Sequence, residues 1–361
     1  MRGAEIAWRT LALERVSEPC IVGSWIMKGD YYSRLLGWDY WSDKERAYVE
    51  ALPKLGINLC PQWAMPYDKM GNAGVVHGYW SNRLGIKEPE EILPIIEAEP
   101  SDEQLEREFD IEGTAREIAD TIKKRIDATG GETLFLPYLA LPDFMGPYNE
   151  WGYVPYLTAL ALYPEHIGRY YHMAATRAYL HHLAVAEAVH RYGIPPFIYG
   201  GDDICDNAGP ICSVETLDRL YFPELRRAFK PLLDNDVRVI WHCDGNIMPI
   251  LDRLIEVGVS GLQGFQEEAG VPYPEIVKLK SRWDRPLIIW GCVSVTTTLP
   301  FGTVDDVKAA VRRSFDLAGP GRGFGLASTS SIMPEVLDEN IEALYLYGRE
   351  YGREFLCTRL A

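Results

Sequence analysis

The chain has 361 residues, a formal net charge of −16 at pH 7 and seven cysteines. This length suits either two ordinary domains or one large barrel. The negative charge argues against nucleic acid and anionic membrane surfaces as partners, because both repel an acidic protein. The cysteines are odd in number and form no Cys-x-x-Cys pair, so we expect reduced thiols and a cytoplasmic location. No apolar run approaches the ~20 residues of a membrane span.

Eight short apolar segments predict eight β-strands, and each is followed by sequence of helical character. The predicted strands cover 21–26, 57–60, 134–139, 196–199, 237–241, 261–265, 286–290 and 323–327. The predicted helices cover 44–55, 103–128, 163–192, 214–235, 304–318 and 334–351. Alternating β and α segments indicate a parallel sheet, and eight such units predict a single-domain (β/α)8 TIM barrel.

Two segments lie outside this repeat. Residues 1–18 predict an N-terminal helical extension, and the barrel is expected to span 19–361. The stretch 68–100 is rich in Gly, Pro and isolated aromatic residues, which predicts a long loop excursion at the barrel mouth. Aromatic residues in and just before it either cover a substrate pocket, receive a partner protein or pack in the core: Trp63, Tyr67, His77, Tyr79 and Trp80.

Polar side chains gather where the predicted strands end. His242 and Asp244 follow one strand, and Asp203 follows the strand before it. The carboxyl ends of the strands form the active face of a (β/α)8 barrel, so we expect these side chains to converge. Imidazole and carboxylate groups serve either a metal site or an acid/base pair. The alternative is a purely structural role, in which the histidine forms a hydrogen bond with an aspartate of the turn and takes no part in chemistry.

Other residues near the same predicted rim are expected to line the site. Those expected to contact substrate are Trp25, Gln62, Trp63, Tyr199 and Gln266. Further polar residues at strand ends are Asp202, Ser294 and Ser330. Of these, Asp202 is expected to belong to a hydrogen-bonded rim that stabilises the turn. Several histidines within 163–192 are instead expected to be structural, because their spacing aims no pair at one metal: His172, His181, His182 and His190.

From about Asp202 onward, five stretches share a pattern with a known superfamily: Gly201-Asp-Asp-Ile with Gly209-Pro, Trp241-His-Cys-Asp-Gly-Asn-Ile247, Gly258-Val-Ser-Gly-Leu-Gln263, the Gly291 strand end with Leu299-Pro-Phe-Gly-Thr303, and Gly321-Arg-Gly-Phe with Glu339-Asn340. On these stretches the chain resembles the uroporphyrinogen decarboxylase superfamily, which includes decarboxylases and corrinoid- or coenzyme M-linked methyltransferases. The resemblance implies a (β/α)8 barrel. The N-terminal half matches only loosely.

Departures from the decarboxylase pattern favour the methyltransferase side. The decarboxylases carry an arginine-rich N-terminal segment and a catalytic aspartate after the second strand. Here the first two strand ends read Trp25-Ile-Met-Lys-Gly29 and Pro61-Gln-Trp-Ala64, and neither supplies those groups. An octacarboxylate substrate would also be repelled by the acidic chain.

The related methyltransferases hold zinc with a His-x-Cys pair and a distant cysteine. In this chain His242, Asp244 and Ser330 stand at those positions. Cys243 lies one place too early and is expected to point away from its neighbours, because successive side chains of a strand face opposite sides. Two readings stay open. In one, His242 and Asp244 bind zinc with a further oxygen ligand or the substrate; in the other they form an acid/base dyad.

The resemblance implies a corrinoid-dependent methyltransferase that moves a methyl group between a small substrate, such as an aryl methyl ether, and cobalamin. His242, Asp203 and Asp244 are the expected catalytic residues, with His242 or Asp203 protonating the leaving oxygen. The chain has no Asp-x-His-x-x-Gly motif, so a separate corrinoid protein is expected to supply the cobalamin. A homodimer is a further option. The alternative function is a decarboxylase or other lyase that acts on a small organic acid without a corrinoid.

Overall fold

In the computed structural model, residues 1–68, 82–320 and 322–359 are described, and the architecture is mixed α/β. Contacts between residues divide this described chain into two interleaved units. The first unit takes its residues from 1–68, 120–137, 260–320 and 322–359, and the second from 82–119 and 138–259. The predicted boundary between an extension and a barrel at residues 18 and 19 stays a prediction.

Ten strands lie in the described chain. They are β1 (Cys20–Ile21), β2 (Leu59–Cys60), β3 (Leu134–Phe135), β4 (Phe197–Gly201), β5 (Cys205–Asp206), β6 (Gly209–Pro210), β7 (Arg238–His242), β8 (Val259–Gln263), β9 (Ile288–Val293) and β10 (Phe324–Ser328). Each of the eight predicted strands overlaps one of these, and only the short β5 and β6 were not predicted. The first three strands are shorter than predicted, with two residues each.

Parallel pairing dominates both units. In the first unit β1, β10, β9 and β8 pair in that order, and all pairs are parallel. β2 pairs with β3 in parallel, and a parallel bridge from Val22 to Leu59 joins them to the same set. In the second unit β4 pairs with β7 in parallel, Tyr138 bridges to Tyr199, and β5 and β6 form an antiparallel hairpin. The predicted alternation and parallel pairing are therefore present, whereas the closed eight-stranded barrel remains a prediction.

Helices fill the intervals between the strands. They are α1 (Gly3–Leu11), α2 (Gly29–Leu36), α3 (Lys44–Lys54), α4 (Leu93–Glu97), α5 (Asp102–Glu108), α6 (Ile111–Ala128), α7 (Gly146–Glu150), α8 (Tyr153–Leu162), α9 (Pro164–Tyr192), α10 (Val214–Leu220), α11 (Phe222–Asp234), α12 (Leu251–Val257), α13 (Tyr273–Ile276), α14 (Thr298–Phe301), α15 (Val304–Ala318), α16 (Asp338–Glu342) and α17 (Gly348–Arg359). Within the described ranges, no helix combines the length and apolar character that a bilayer crossing requires.

Several predicted helices are divided in the structure. The prediction at 103–128 breaks between α5 and α6, because Phe109 is extended and Asp110 accepts the backbone N–H of Gly113 at 2.9 Å. The prediction at 214–235 divides at Tyr221 into α10 and α11. The last prediction starts later, at α16, and continues through a π-helical turn (Ala343–Tyr347) into α17.

The predicted loop excursion at 68–100 is described only in part. Residues 69–81, which include His77, Tyr79 and Trp80, lie outside the described residues. The remainder holds a 3-10 turn (Pro89–Ile92) followed by α4, so this part of the excursion has regular structure.

Candidate active site

Two neighbouring strands of the second unit, β4 and β7, carry the candidate site. The buried side chains of Val239, Ile240 and Trp241 anchor β7 in the core, and the strand ends at His242. In the parallel register Gly201, the last residue of β4, is opposite His242. Asp203 lies two residues after Gly201, and Asp244 lies two residues after His242. Both carboxylates therefore leave the sheet at the same edge as the imidazole.

The three side chains meet closely. His242 Nε2 lies 3.7 Å from Asp203 Oδ1 and 3.8 Å from Asp244 Oδ1. The side chains of His242, Asp203 and Asp244 are 20%, 16% and 31% exposed, so the cluster is sheltered but reachable. Both distances exceed hydrogen-bonding range but suit two ligands that each lie ~2.1 Å from a shared ion.

One ligand atom from each of the three lies within 4.8 Å of the others. In the part of the chain that the structure describes, no other group of three or more His, Cys, Asp or Glu side chains meets this criterion. The structure thus brings Asp203, His242 and Asp244 together, as predicted. Their roles as ligands or catalytic groups remain a proposal.

The turn beyond β7 is held by Asp203. Its Oδ1 accepts the backbone N–H of Asp244 at 2.8 Å, and its own backbone N–H donates to Met145 Sδ at 3.0 Å. Gly245 has a φ of 80°, and a Cβ at this position would lie 2.5 Å from the backbone oxygen of Asp206. A glycine is therefore required where the chain turns away from the cluster.

Asp202 is a buried structural carboxylate, in line with the hydrogen-bonded rim expected for the strand end. Its oxygens accept the backbone N–H groups of Phe144 and Met145 at 3.1 and 3.3 Å and the hydroxyl of Tyr221 at 2.5 Å. Burial and then the charge of Asp143 raise the pKa of Asp202 to about 7. Sequence reasoning missed these partners. The sequence signal that could have revealed them is the polar turn that follows β3.

Tyr199 also borders the cluster within the second unit. Its side chain is buried, and its ring centroid lies 6.5 Å from that of His242. Burial, and secondarily the charges of Asp244 and Asp203, raise the pKa of its hydroxyl well above the usual value. The hydroxyl therefore keeps its proton at neutral pH. A contact between Tyr199 and substrate remains a prediction.

The other residues predicted to contact substrate belong to the first unit. Trp25 is buried, and its indole N–H donates to Gln62 Oε1 at 2.7 Å. Trp63 is half-buried, and the Arg125 guanidinium lies 4.1 Å from its ring centroid. Gln266 is also half-buried and follows β8. These contacts do not test substrate binding, which stays a prediction for Trp25, Gln62, Trp63 and Gln266.

Cys243 and Ser330, which were compared with zinc-binding cysteines in the sequence, do not lie in the cluster. Cys243 is buried, and its Sγ donates to the backbone oxygen of Asp244 at 3.1 Å, so it does not join the cluster. Burial raises the pKa of its thiol well above the usual value. Ser330 lies in the first unit, where its backbone oxygen accepts the hydroxyl of Ser328 at 2.8 Å.

Two histidines of α9 contact backbone oxygens, in line with the structural role expected for them. His181 Nε2 lies 3.2 Å from the backbone oxygen of Tyr138, and His182 Nδ1 lies 2.7 Å from that of Ala228. Both side chains are buried, so they lie in the core and not on a solvated helix face. Burial lowers the pKa of both, that of His182 to about 3.

Comparison with known proteins gives a fold relationship. No protein-family model matches the chain, and no curated protein sequence matches it. Among solved structures, a methyltransferase from Methanosarcina mazei is similar in fold, with a TM-score of 0.64 and 18% sequence identity. The similarity covers 97% of this chain and 99% of that one. At this identity the likeness establishes a related fold over nearly the whole length.

Proposed function

We propose that this chain is a corrinoid-dependent methyltransferase in which Asp203, His242 and Asp244 hold a divalent metal ion. The observation that carries the proposal is the convergence of one donor atom from each residue within 4.8 Å. The fold is similar to that of a methyltransferase. The stretch around His242 also resembles corrinoid- and coenzyme M-linked methyltransferases in sequence.

The donor atoms fit a metal with nitrogen and oxygen ligands. Zinc accepts imidazole and carboxylate ligands, as do other divalent first-row ions. A thiolate-rich zinc site does not fit, because Cys243 directs its Sγ at the backbone oxygen of Asp244. When bound here, such an ion would lower the pKa of a substrate hydroxyl or thiol.

The protein side chains would position the substrate and its proton. In the demethylation direction, the bond between methyl carbon and substrate oxygen breaks, and the oxygen keeps the electron pair and takes up a proton. The acceptor would be the cob(I)alamin of a separate protein, which would supply the electron pair for its new bond to the methyl carbon. The ring of Tyr199 lies 6.5 Å from that of His242, and burial raises the pKa of its hydroxyl, so this group would stay protonated beside the substrate and would not act as a base.

A second arrangement of the same site holds no metal. The imidazole of His242 would then supply the proton, with the carboxylates of Asp203 and Asp244 at 3.7 and 3.8 Å from its Nε2. A decarboxylase or other lyase would use the same groups without a corrinoid partner. Metal content and methyl transfer separate these readings.

The first experiment measures metal content by elemental analysis after exhaustive dialysis. We expect near-stoichiometric metal in the wild type and in His190→Ala, whose imidazole contacts Asn235 outside the cluster. We expect its loss in His242→Ala. If none of the three proteins retains metal after zinc, manganese or cobalt is added, the cluster is not a metal site. The acid/base arrangement would then be the one to test.

The second experiment measures methyl transfer under anaerobic conditions with free cob(I)alamin as the acceptor. Aryl methyl ethers serve as donors, and the absorbance change that accompanies formation of the cobalt–carbon bond is followed. We expect turnover with the wild type and with His190→Ala but not with His242→Ala. Release of carbon dioxide from small organic acids, without any methyl transfer, would instead identify a lyase.

A further inference from the structure

A cavity lies at the amino-terminal ends of β1 and β10, in the first unit. Its volume is about 530 Å³, which is within the usual range for small-molecule sites. It is bounded by α1, by the start of β1 at Cys20, by the end of α15 and by α17. None of its lining residues belongs to the candidate active site.

The charged residues that line this cavity are mainly cationic. Arg9, Arg15 and Arg322 line it together with a single carboxylate, that of Glu14. Arg9 Nε binds Glu14 at 2.8 Å. Arg322 donates to the backbone oxygen of Leu13 at 3.4 Å, and among the described residues neither Arg322 nor Arg15 forms an ion pair with a carboxylate. Two guanidinium groups at the cavity therefore remain available to an anion.

This excess of positive charge contrasts with the rest of the chain. The sequence has 52 acidic residues against 36 lysines and arginines, so a cavity with an excess of arginines has the opposite charge to the chain as a whole. Guanidinium groups recognise carboxylate, sulfonate and phosphate groups through charge-assisted hydrogen bonds. The cavity is therefore a locally positive site that attracts a small anion, although the protein as a whole is negatively charged.

The remaining lining is apolar. Phe315 and Phe324 are 2% and 8% exposed, and their ring centroids lie 5.1 Å apart in an edge-to-face arrangement. Val16 and Leu356 complete this side of the cavity. An apolar body of a few carbon atoms could be buried against these side chains while its charged group faces Arg15 and Arg322.

We propose that this cavity is a binding site for a small amphipathic organic anion, with Arg15 and Arg322 holding the anionic group. The site is independent of the methyltransferase proposal, because it shares no residue with that cluster. The anionic dye 8-anilinonaphthalene-1-sulfonate has the required combination of an aromatic body and a sulfonate. It is therefore the probe for the test.

The experiment is a fluorescence titration of the full-length protein with this dye. We expect saturable binding of one dye molecule by the wild type, and affinity weaker by roughly tenfold or more in Arg15→Ala/Arg322→Ala. The matched control is Arg219→Ala/Arg282→Ala, which removes two exposed arginines outside the cavity. Its affinity should equal that of the wild type. Circular dichroism confirms that both double variants are folded.

Two further measurements locate the site and test its charge preference. Octanoate should displace the dye, and octylammonium, which has the same chain length and the opposite charge, should not. His242→Ala should bind the dye as the wild type does, because its substitution lies outside the cavity. The proposal is overturned if Arg15→Ala/Arg322→Ala keeps the wild-type affinity, if octylammonium competes equally, or if no saturable binding is seen.

Discussion

The backbone N–H of Asp244 donates a hydrogen bond to Oδ1 of Asp203, with 2.8 Å between nitrogen and oxygen. The same carboxylate oxygen lies 3.7 Å from Nε2 of His242. Asp203 therefore holds the turn that presents Asp244 and also places negative charge beside the imidazole. Substitution can separate these two roles.

Asp203→Asn should weaken metal binding while the fold is kept. The amide oxygen can still accept the N–H of Asp244, but the negative charge that attracts a cation is lost. We expect affinity for zinc or manganese to fall by about tenfold or more, measured by calorimetric titration. Asp206→Asn is the control, because that carboxylate caps its own turn through Ala208 and Gly209. Equal affinities of Asp203→Asn and the wild type would show that Asp203 is not a ligand.

Gly201→Ala should disrupt the sheet beneath the site. A Cβ at this position would lie 1.7 Å from the backbone oxygen of His242, so the two strands would have to separate. We expect a loss of about 2–3 kcal/mol or more in the free energy of unfolding, measured by urea denaturation. Gly193→Ala is the matched control. Its φ is 68° and nothing lies within 4 Å of the added Cβ, so only backbone strain of about 1 kcal/mol is expected. Similar losses in both variants would contradict the clash.

His172 should make stability depend on pH. Its Nε2 lies 2.9 Å from Asp102 Oδ2 and its Nδ1 lies 3.1 Å from Glu224 Oε1, while Arg227 donates to its backbone oxygen at 2.5 Å. Burial lowers the pKa of His172, but the hydrogen bonds to the two carboxylates outweigh burial and leave it raised. Its stabilising contribution is thus complete below the unfolded pKa of about 6.5 and is lost as pH rises through the folded pKa.

The pKa of Asp102 is lowered. Burial opposes this shift, and hydrogen bonds from Thr176 and His172 outweigh it. Its contribution is therefore present above a pKa of about 3.9 and is lost as pH falls through the folded value. Because His172 and Asp102 are 39% and 38% exposed, the effect should stay under about 1 kcal/mol.

The measurement compares urea unfolding of the wild type and His172→Gln at pH 5.5 and pH 8.5. The variant should be less stable than the wild type at the lower pH, and the difference should shrink at the higher pH. His190→Gln is the control, because that imidazole contacts the amide of Asn235 and no carboxylate is involved. A difference that grows with pH would refute this assignment.

Asp202 should also reduce stability as pH rises. Burial raises its folded pKa to about 7, so its contribution is complete below the unfolded pKa and is lost between about pH 4 and pH 7. Asp202→Asn should flatten this part of the profile, by an amount on the order of 2–4 kcal/mol. Tyr221→Phe should steepen it, because the hydroxyl of Tyr221 lowers the pKa of Asp202. Urea unfolding at four pH values tests both, and unchanged profiles would exclude the effect.

Regular elements with strong local signals were predictable from the sequence. The prediction of a helix at 304–318 matches α15, which has an amphipathic pattern and a capping box formed by Thr303 and Asp306. The prediction at 103–128 failed at Phe109 and Asp110, because Phe109 is extended and the side chain of Asp110 caps the helix that follows. The predictions for β1 and β2 were too long, because an apolar run does not show where hydrogen bonding between strands stops.

The candidate site was predictable in part. A polar residue directly after an apolar strand is a local signal, and it identified His242 and Asp244. The distance between Asp203 and His242 depends on the pairing of Gly201 with His242. The register of two strands cannot be read from the sequence alone. The partners of His172 were missed for a similar reason, because Asp102 and Glu224 are distant in the chain and meet only in the fold.

The pairing of β1 with β10 has a consequence during synthesis. Cys20 is opposite Gly325, so partners about 300 residues apart must meet before this ladder exists. At the usual rate of translation, β1 waits on the order of tens of seconds after leaving the ribosome before β10 emerges. During that interval its apolar residues have no native partner strand on that side. The nascent chain is then a natural client for chaperones that bind short hydrophobic segments near the N-terminus.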